Sequence, residues 1–236
     1  PAWRSRAGEA PIQDALEALS DFAGDTRAIE YFESRRSAFD ALVSRIGKVV
    51  EATGLAPRIE RYTGTNPTRH ELVLAPLMPK ESAQSVLLAT STTDGPRVIV
   101  RAVSVARDRS PDFLEGTPGF LRQVSRGWLR GLISSGLSAQ DDSLGQSQGL
   151  LAPIREDMQS RGLTRWPDVV AEHLARAIDT RLLQETGDSR GSAQALRAQE
   201  RSGFAYIREC FNLLSDYDAS RSAYPDLTSF LPVVRS

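Results

Sequence analysis

Cysteine, lysine and long apolar runs are the three things that this chain of 236 residues has little of. Its single cysteine, Cys210, excludes an intramolecular disulfide and disfavours a metal site built on thiolates. No apolar run approaches the roughly 18 residues that a membrane span needs, and the first six residues lack the apolar core of a signal peptide. The sequence therefore predicts a cytoplasmic, reduced protein with no membrane span.

Lysine is nearly absent, since Lys48 and Lys80 are the only two among 29 basic residues and the others are arginines. A guanidinium binds phosphates and carboxylates through planar, paired contacts, so this choice is compatible with recognition of such groups. The arginines are spread evenly along the chain, which favours codon usage as the cause. The net charge of −1 provides no general attraction to polyanions or anionic membranes.

Sequence motifs for common cofactors and catalytic sites are also missing. There is no GxxxxGK[ST] loop, no strand–GxGxxG–helix unit, no GxSxG and no HExxH, so no cofactor is expected. Glu172 and His173 stand side by side on a helical segment with Asp168 one turn earlier. A metal site needs three or four converging ligands, and we interpret His173 and His70 as packing or surface residues.

The N-terminal segment 11–54 has the periodicity of two helices, which meet near Gly24. Pro11 suits the first turn of one helix, and Asp25 or Thr26 can cap a longer helix that ends at Gly54. The apolar residues of the longer helix recur at gaps of three and four, which predicts one buried face. That series is Ile29, Phe32, Phe39, Val43, Ile46 and Val50. If this face is exposed instead, the helix 26–53 is a seam for an oligomer or a partner.

Residues 57–107 change to a period of two, which predicts four strands near 58–63, 70–76, 85–92 and 97–107. Asp94 and Gly95 stand between two apolar runs, and this pair is a strong signal for a two-residue hairpin turn. We therefore predict a four-stranded antiparallel meander. Its outward positions carry Arg97, Arg101 and Arg107, and its inward positions include Val98, Val100 and Ala102.

The C-terminal half returns to helical periodicity beyond Pro111. Helices are predicted over 118–136, 150–161, 167–186 and 192–217, and the polar segment 136–149 is predicted to be a loop. The fold class is therefore α+β: a helical pair, a four-stranded antiparallel meander and a helical C-terminal half. We expect an αα-plus-sheet unit over 1–110 and a helical unit over 111–236, which could also pack on the sheet as one domain.

The helix over 118–136 has an apolar face and a basic face. Arg122, Arg126 and Arg130 form a basic stripe, and the apolar face includes Val124 and Trp128. Such a helix can lie on a phosphate backbone, a membrane surface or a partner's groove. The ordinary alternative is structural: the arginines pair with acids of a neighbouring helix such as 167–186, and Trp128 is buried. We expect the structural arrangement.

Two functions follow from these patterns. The first is a non-enzymatic intracellular accessory or protein-interaction module, favoured by the absence of catalytic motifs and by the long N-terminal helices. The alternative is a nucleic-acid-binding protein or a nuclease. Nucleic-acid binding is suggested by the net charge of +3 of residues 57–111, from eight basic and five acidic residues. For a nuclease the candidate acids are Glu60, Glu71 and Glu81, and their spacing matches no E-x-K signature. The candidate binding surface for the alternative is Arg97, Arg101, Arg122, Arg126 and Arg130.

Overall fold

The structure is a computed structural model that describes residues 10–76, 90–92, 95–106, 111–138 and 145–235. The chain divides into two compact units, Pro1–Lys48 and Val49–Ser236. The boundary that we predicted near residue 110 falls inside the second unit, at residues 107–110, which lie outside the described ranges. No helix in the described ranges is long and apolar enough to cross a bilayer.

The first unit is helical. Helix α1 is Ala10–Asp25, α2 is Ala28–Ser34, and α3 is Arg36–Ala52, so the unit boundary falls within α3. The predicted second helix is therefore two helices, which are separated at Arg35. This break interrupts the helical periodicity between Phe32 and Phe39.

Burial in these helices differs from the prediction. Ile46 is buried as predicted, but Phe32 and Val43 are 49% and 58% exposed. Phe39 is half-buried. The prediction of a continuous buried face was therefore wrong for Ile29, Phe32 and Val43, and the alternative in which this face is a seam becomes relevant.

Helix α4, Leu55–Thr63, opens the second unit and replaces the strand predicted at 58–63. Leu55, Ile59 and Tyr62 are buried, and their gaps of four and three belong to a helix. Ile59 and Tyr62 alone give a gap of three, which does not fit a period of two, so the strand predicted at 58–63 was wrong, and the helical spacing becomes clear only when Leu55 is included.

A small mixed sheet stands where the antiparallel meander was predicted. Strand β1 is Glu71–Ala75, β2 is Thr90–Thr92 and β3 is Gly95–Arg101. Their order is β1-β3-β2, with β1 parallel and β2 antiparallel to β3. A second pair consists of β4, Ser104–Val105, and β5, Pro111–Asp112, in antiparallel register.

The prediction of a four-stranded antiparallel meander was therefore wrong, and the described chain is mostly helical. Residues 76–94 separate β1 from β3, and this is long enough for a parallel pair, which requires a connection of about a dozen residues or more. Strand β3 takes the central position, with Pro96, Val98 and Val100 buried. The predicted alternation of outward arginines and inward valines is confirmed for residues 97–101, whereas Arg107 lies outside the described residues.

The predicted hairpin is present where the structure describes it, since β2 and β3 are antiparallel neighbours. The first register pair is Thr92 with Gly95, so Gly95 is the first residue of the strand rather than part of the turn centre. Its φ of 142° is rarely adopted by other residues. A Cβ atom at Gly95 would lie 2.1 Å from the backbone oxygen of Arg69. Residues 85–89 of the predicted third strand, and residues 93–94, lie outside the described ranges.

The remaining helices agree with the prediction in position but not in every bound. Helix α5 is Pro118–Ser138, α6 is Arg155–Gln159, α7 is Trp166–Glu185, α8 is Ser189–Arg201, α9 is Ile207–Ala219 and α10 is Leu227–Phe230. Gly145–Ile154 and Val233–Arg235 are 3₁₀ helices. The single helix predicted over 192–217 is two helices, because Gly203 turns the chain at a φ of 83°.

Helix α7 is the centre of the second unit. It packs against α5, α8 and α9, and α5 also packs against β3. Thirteen residues of α7 are buried, including Leu174 and Ile178 and the charged Glu172 and Asp179. Because α7 is packed against three other helices, its buried charges must be paired with groups inside the fold.

Candidate functional site

The three arginines of α5 face two acids of α7. The Nε atom of Arg122 lies 3.0 Å from Oδ2 of Asp179, and the Nε atom of Arg126 lies 3.1 Å from the same oxygen. Nη1 of Arg130 lies 3.5 Å from Oε2 of Glu172. We call these five residues the ion-pair ladder. It is the arrangement that we expected for a structural role of the basic stripe.

The acids of the ladder are almost fully enclosed. The side chains of Asp179 and Glu172 are 5% and 4% exposed, and a buried carboxylate requires such partners because its desolvation is unfavourable. Glu172 also accepts a hydrogen bond from Nε of Arg176 at 2.7 Å. Burial, with a smaller contribution from the positive charge of Arg126, lowers the pKa of Arg176 to about 10, against the attraction of Glu172. Four guanidinium groups thus share two carboxylates.

Trp128 lies on the apolar face of α5, as expected. It is buried, its indole Nε1 donates to the backbone oxygen of Glu71 at 2.9 Å, and its ring lies 4.8 Å from that of His70. These contacts attach α5 to the start of β1. The apolar face of α5 is therefore part of the core.

The two strand arginines of the candidate surface, Arg97 and Arg101, lie on β3. Arg97 donates through Nε to Oε2 of Glu71 at 2.6 Å, so it crosses from β3 to β1. Arg101 is half-buried, and its Nη1 has no hydrogen-bond partner among the described residues. Four of the five predicted arginines therefore contact a carboxylate.

Both histidines occupy packed positions. Nδ1 of His173 lies 2.8 Å from the backbone oxygen of Val169, and its ring lies 5.4 Å from that of Phe204. Nδ1 of His70 lies 3.4 Å from a carboxylate oxygen of Glu60. Burial lowers the pKa of each histidine, although Glu60 opposes the shift at His70 and the Val169 carbonyl opposes it at His173. Where the chain is described, no three side chains of His, Cys, Asp or Glu are grouped as metal ligands.

A cavity of about 590 Å³ opens beside the ladder, and we call it the α5–α7 cavity. Its walls are largely apolar, with Leu55, Leu121, Leu182 and Leu183 among them. The polar lining residues include Arg58, Arg122, Ser125, Asp179 and Asp188. Arg58 is held in place because its Nη2 donates to the backbone oxygen of Leu182. The cavity thus combines an apolar volume with the polar end of the ladder.

The first unit exposes a second candidate surface, which we call the N-terminal apolar surface. Its seven large apolar residues are between 49% and 67% exposed: Leu16, Leu19, Phe22, Ile29, Tyr31, Phe32 and Val43. The ring centroids of Tyr31 and Phe32 are 5.8 Å apart, and those of Phe32 and Phe39 are 6.3 Å apart. Aromatic side chains grouped in this way are typical of the centre of protein interfaces.

Cys210 lies on α9, where burial, assisted by the negative charge of the nearby Glu209, raises the pKa of its thiol to about 12. A reactive cysteine needs a lowered pKa and an electropositive environment. The position of Cys210 is therefore that of an unreactive packing residue.

Sequence reasoning missed several of these residues. The acids at 172 and 179 are seven apart, hence on one face of a helix, and this spacing could have identified them as partners of the α5 stripe. Leu16 and Leu19 lie in the first predicted helix, and their exposure carries no local sequence signal. Arg58 and Ser125 meet in the cavity only through the packing of α4 and α5.

Comparison with known proteins gives one result. No curated protein and no solved structure shows a significant match to this sequence. One family model, described as a domain of unknown function (DUF4932), matches residues 6–235. Because the match spans nearly the whole chain, the protein belongs to the DUF4932 family.

Proposed function

We propose that this protein is a non-enzymatic, cytoplasmic protein-interaction module whose N-terminal apolar surface binds a second copy of the chain. The observation that carries the proposal is the exposure of the seven apolar side chains of that surface. Exposed apolar patches beyond a few hundred Å² are uncommon on monomeric proteins and typically mark an interaction site.

The size of the surface supports a specific interface. Burial of all seven residues, which lie on α1, α2 and α3, would remove roughly 700 Å² from water, near the area that each partner contributes to a standard interface. The aromatic cluster of Tyr31, Phe32 and Phe39 supplies the rigid groups on which binding energy is usually concentrated.

The charge distribution favours a second copy as the partner. Residues 10–25 contain four acids and no basic residue, whereas residues 26–48 contain five basic residues and three acids. In a twofold dimer the acidic helix α1 of one copy can face the basic helices α2 and α3 of the other, and the reverse contact follows by symmetry.

Nucleic-acid binding is supported less well. It requires arginines that are free to contact phosphates. Arg97, Arg122 and Arg126 each hold a carboxylate within 3.1 Å, and Arg130 holds one at 3.5 Å. A polyanion would have to displace these acids.

Light scattering coupled to size exclusion, over a micromolar to submillimolar series, tests the proposal. We expect a dimer whose population rises with concentration, and a monomer of unchanged circular dichroism for Leu19→Asp and Phe32→Asp. Val105→Asp, which changes a 69% exposed residue of the second unit, is the matched control and should dimerise like the wild type. A wild type that stays monomeric throughout would refute the proposal, and an absorbance ratio indicating bound nucleic acid would favour the alternative.

A further inference from the structure

We propose that the α5–α7 cavity binds a small organic acid, with its carboxylate at Arg122 and Ser125 and its apolar chain along the leucines of the wall. The cavity belongs to the second unit, so this inference is independent of the proposed self-association.

Unpartnered polar groups are the first observation. Ser125 is 2% exposed and lines the cavity, and its Oγ has no hydrogen-bond partner among the described residues. Nη2 of Arg122 is also buried without a hydrogen-bond partner among the described residues, and Arg122 lies one turn before Ser125 on the same face of α5. Buried polar groups are nearly always paired, and an unpaired donor is unfavourable. Both groups can donate to an acceptor oxygen of a ligand.

The charge balance favours an anionic oxygen. Asp179 accepts from both Arg122 and Arg126, so one carboxylate neutralises only one of two guanidinium groups. Arg58 adds a further positive charge to the lining. The second acid of the lining, Asp188, offsets the charge of Arg58, and its Oδ1 accepts from the backbone N–H of Gly191 at 2.7 Å at the start of α8, so the excess positive charge is that of the pair Arg122 and Arg126 on Asp179. A carboxylate matches the paired donors of a guanidinium better than a neutral group does.

The rest of the cavity wall favours a ligand with an apolar body. Leu55, Leu121 and Leu182 line the cavity together with Ala195 and Ala198. A volume of about 590 Å³ lies within the range of small-molecule sites, which are mostly apolar with a few placed polar groups. The ligand class is therefore a medium-chain monocarboxylic acid.

Isothermal titration calorimetry with octanoate, below its critical micelle concentration, tests the site in the full chain. We expect saturable binding of octanoate, and binding of octanol at least about tenfold weaker because the alcohol carries no charge for Arg122. Ser125→Ala should weaken octanoate binding by about three- to tenfold. It should leave the melting temperature unchanged, because the hydroxyl has no partner in the described protein.

A pair of substitutions on α8 locates the binding site. Ala198 lines the cavity, whereas Ala193 is an exposed residue of the same helix that does not. Ala198→Trp should abolish binding by filling the cavity, and Ala193→Trp should bind octanoate like the wild type. Absence of octanoate binding to the wild type, equal affinity for octanol, or full binding by Ala198→Trp would each overturn the proposal.

Discussion

At the scale of single residues, Gly95 holds a position that no other residue can take without strain. Its φ of 142° disfavours any side chain, and an added Cβ would meet the backbone oxygen of Arg69 at 2.1 Å. We expect Gly95→Ala to lower the free energy of unfolding by at least about 2 kcal/mol. Gly149→Ala is the control, because nothing lies within 4 Å of that Cβ, and its effect should stay within about 0.5 kcal/mol. Equal losses in urea denaturation would contradict this account.

His173 makes a pH-dependent contribution to stability at the same scale. Burial lowers the pKa of His173 in the folded state, whereas in the unfolded chain the pKa of this residue is about 6.5. The unfolded state therefore binds more protons as the pH falls below that value, and the folded state loses stability. The slope for one proton is at most about 1.4 kcal/mol per pH unit.

We accordingly expect the wild type to lose stability between pH of about 6.5 and 5, and His173→Gln to lose less over the same range. Chemical denaturation at each pH measures both slopes. Parallel curves for the two proteins would show that other groups cause the pH dependence.

At the scale of elements, the ion-pair ladder fixes α5 against α7. Replacement of Arg122, Arg126 and Arg130 together by Gln would leave Asp179 buried without a positive partner. We expect this triple variant to lose about 3–5 kcal/mol of stability or more, and nucleic-acid binding to be absent before and after the change. The matched control replaces three exposed arginines of α8, Arg190, Arg197 and Arg201, by Gln, and should stay near the wild type. Steep salt-dependent nucleic-acid binding that only the first variant loses would instead assign the stripe to a polyanion.

Elements were predictable from sequence where local signals and packing agree. Pro118 and Pro167 mark the starts of α5 and α7, and the spacing of four between the three arginines led to the helix predicted over 167–186 as their partner, although not to Glu172 and Asp179 as the paired acids. The order of the sheet was not predictable in this way, because it depends on how residues 76–89 connect β1 to β2. A parallel β1–β3 pair leaves the alternation of each strand unchanged, so periodicity cannot distinguish it from a meander.

The sites were predictable only in part. The stripe on α5 was found from its spacing, and its pairing with acids followed from ordinary helix amphipathicity. The α5–α7 cavity could not be found, because Arg58, Ser125 and Asp179 come from three helices that are distant in sequence. Exposure of the N-terminal apolar surface contradicts the usual meaning of its periodicity, so sequence alone favoured a core.

At the scale of the whole molecule, the two units differ in how much of their surface is buried. Among residues 13–48 only Leu42 and Ile46 are buried, whereas α7 alone has thirteen buried residues. Local opening requires little free energy where few apolar contacts must break. We expect the amides of α1 and α2 to exchange with deuterium much faster than those of α7 in dilute protein, as measured by mass spectrometry.

The same measurement at high concentration links this difference to self-association. Copies that pair through the N-terminal apolar surface should protect α1 and α2, while the exchange of α7 stays constant. Protection that does not depend on concentration would place the stability of the first unit within the single chain.

The half-buried Cys210 provides a single-site probe of how often the second unit opens. With a pKa of about 12, the thiolate at neutral pH amounts to less than one part in ten thousand, and the folded protein should resist alkylating reagents. Modification should therefore be much faster when α9 opens than in the folded protein. Because the sequence contains no other cysteine, each labelled molecule records one such opening. The Gly95→Ala variant should be labelled faster than the wild type, and Val105→Asp should be labelled at the wild-type rate.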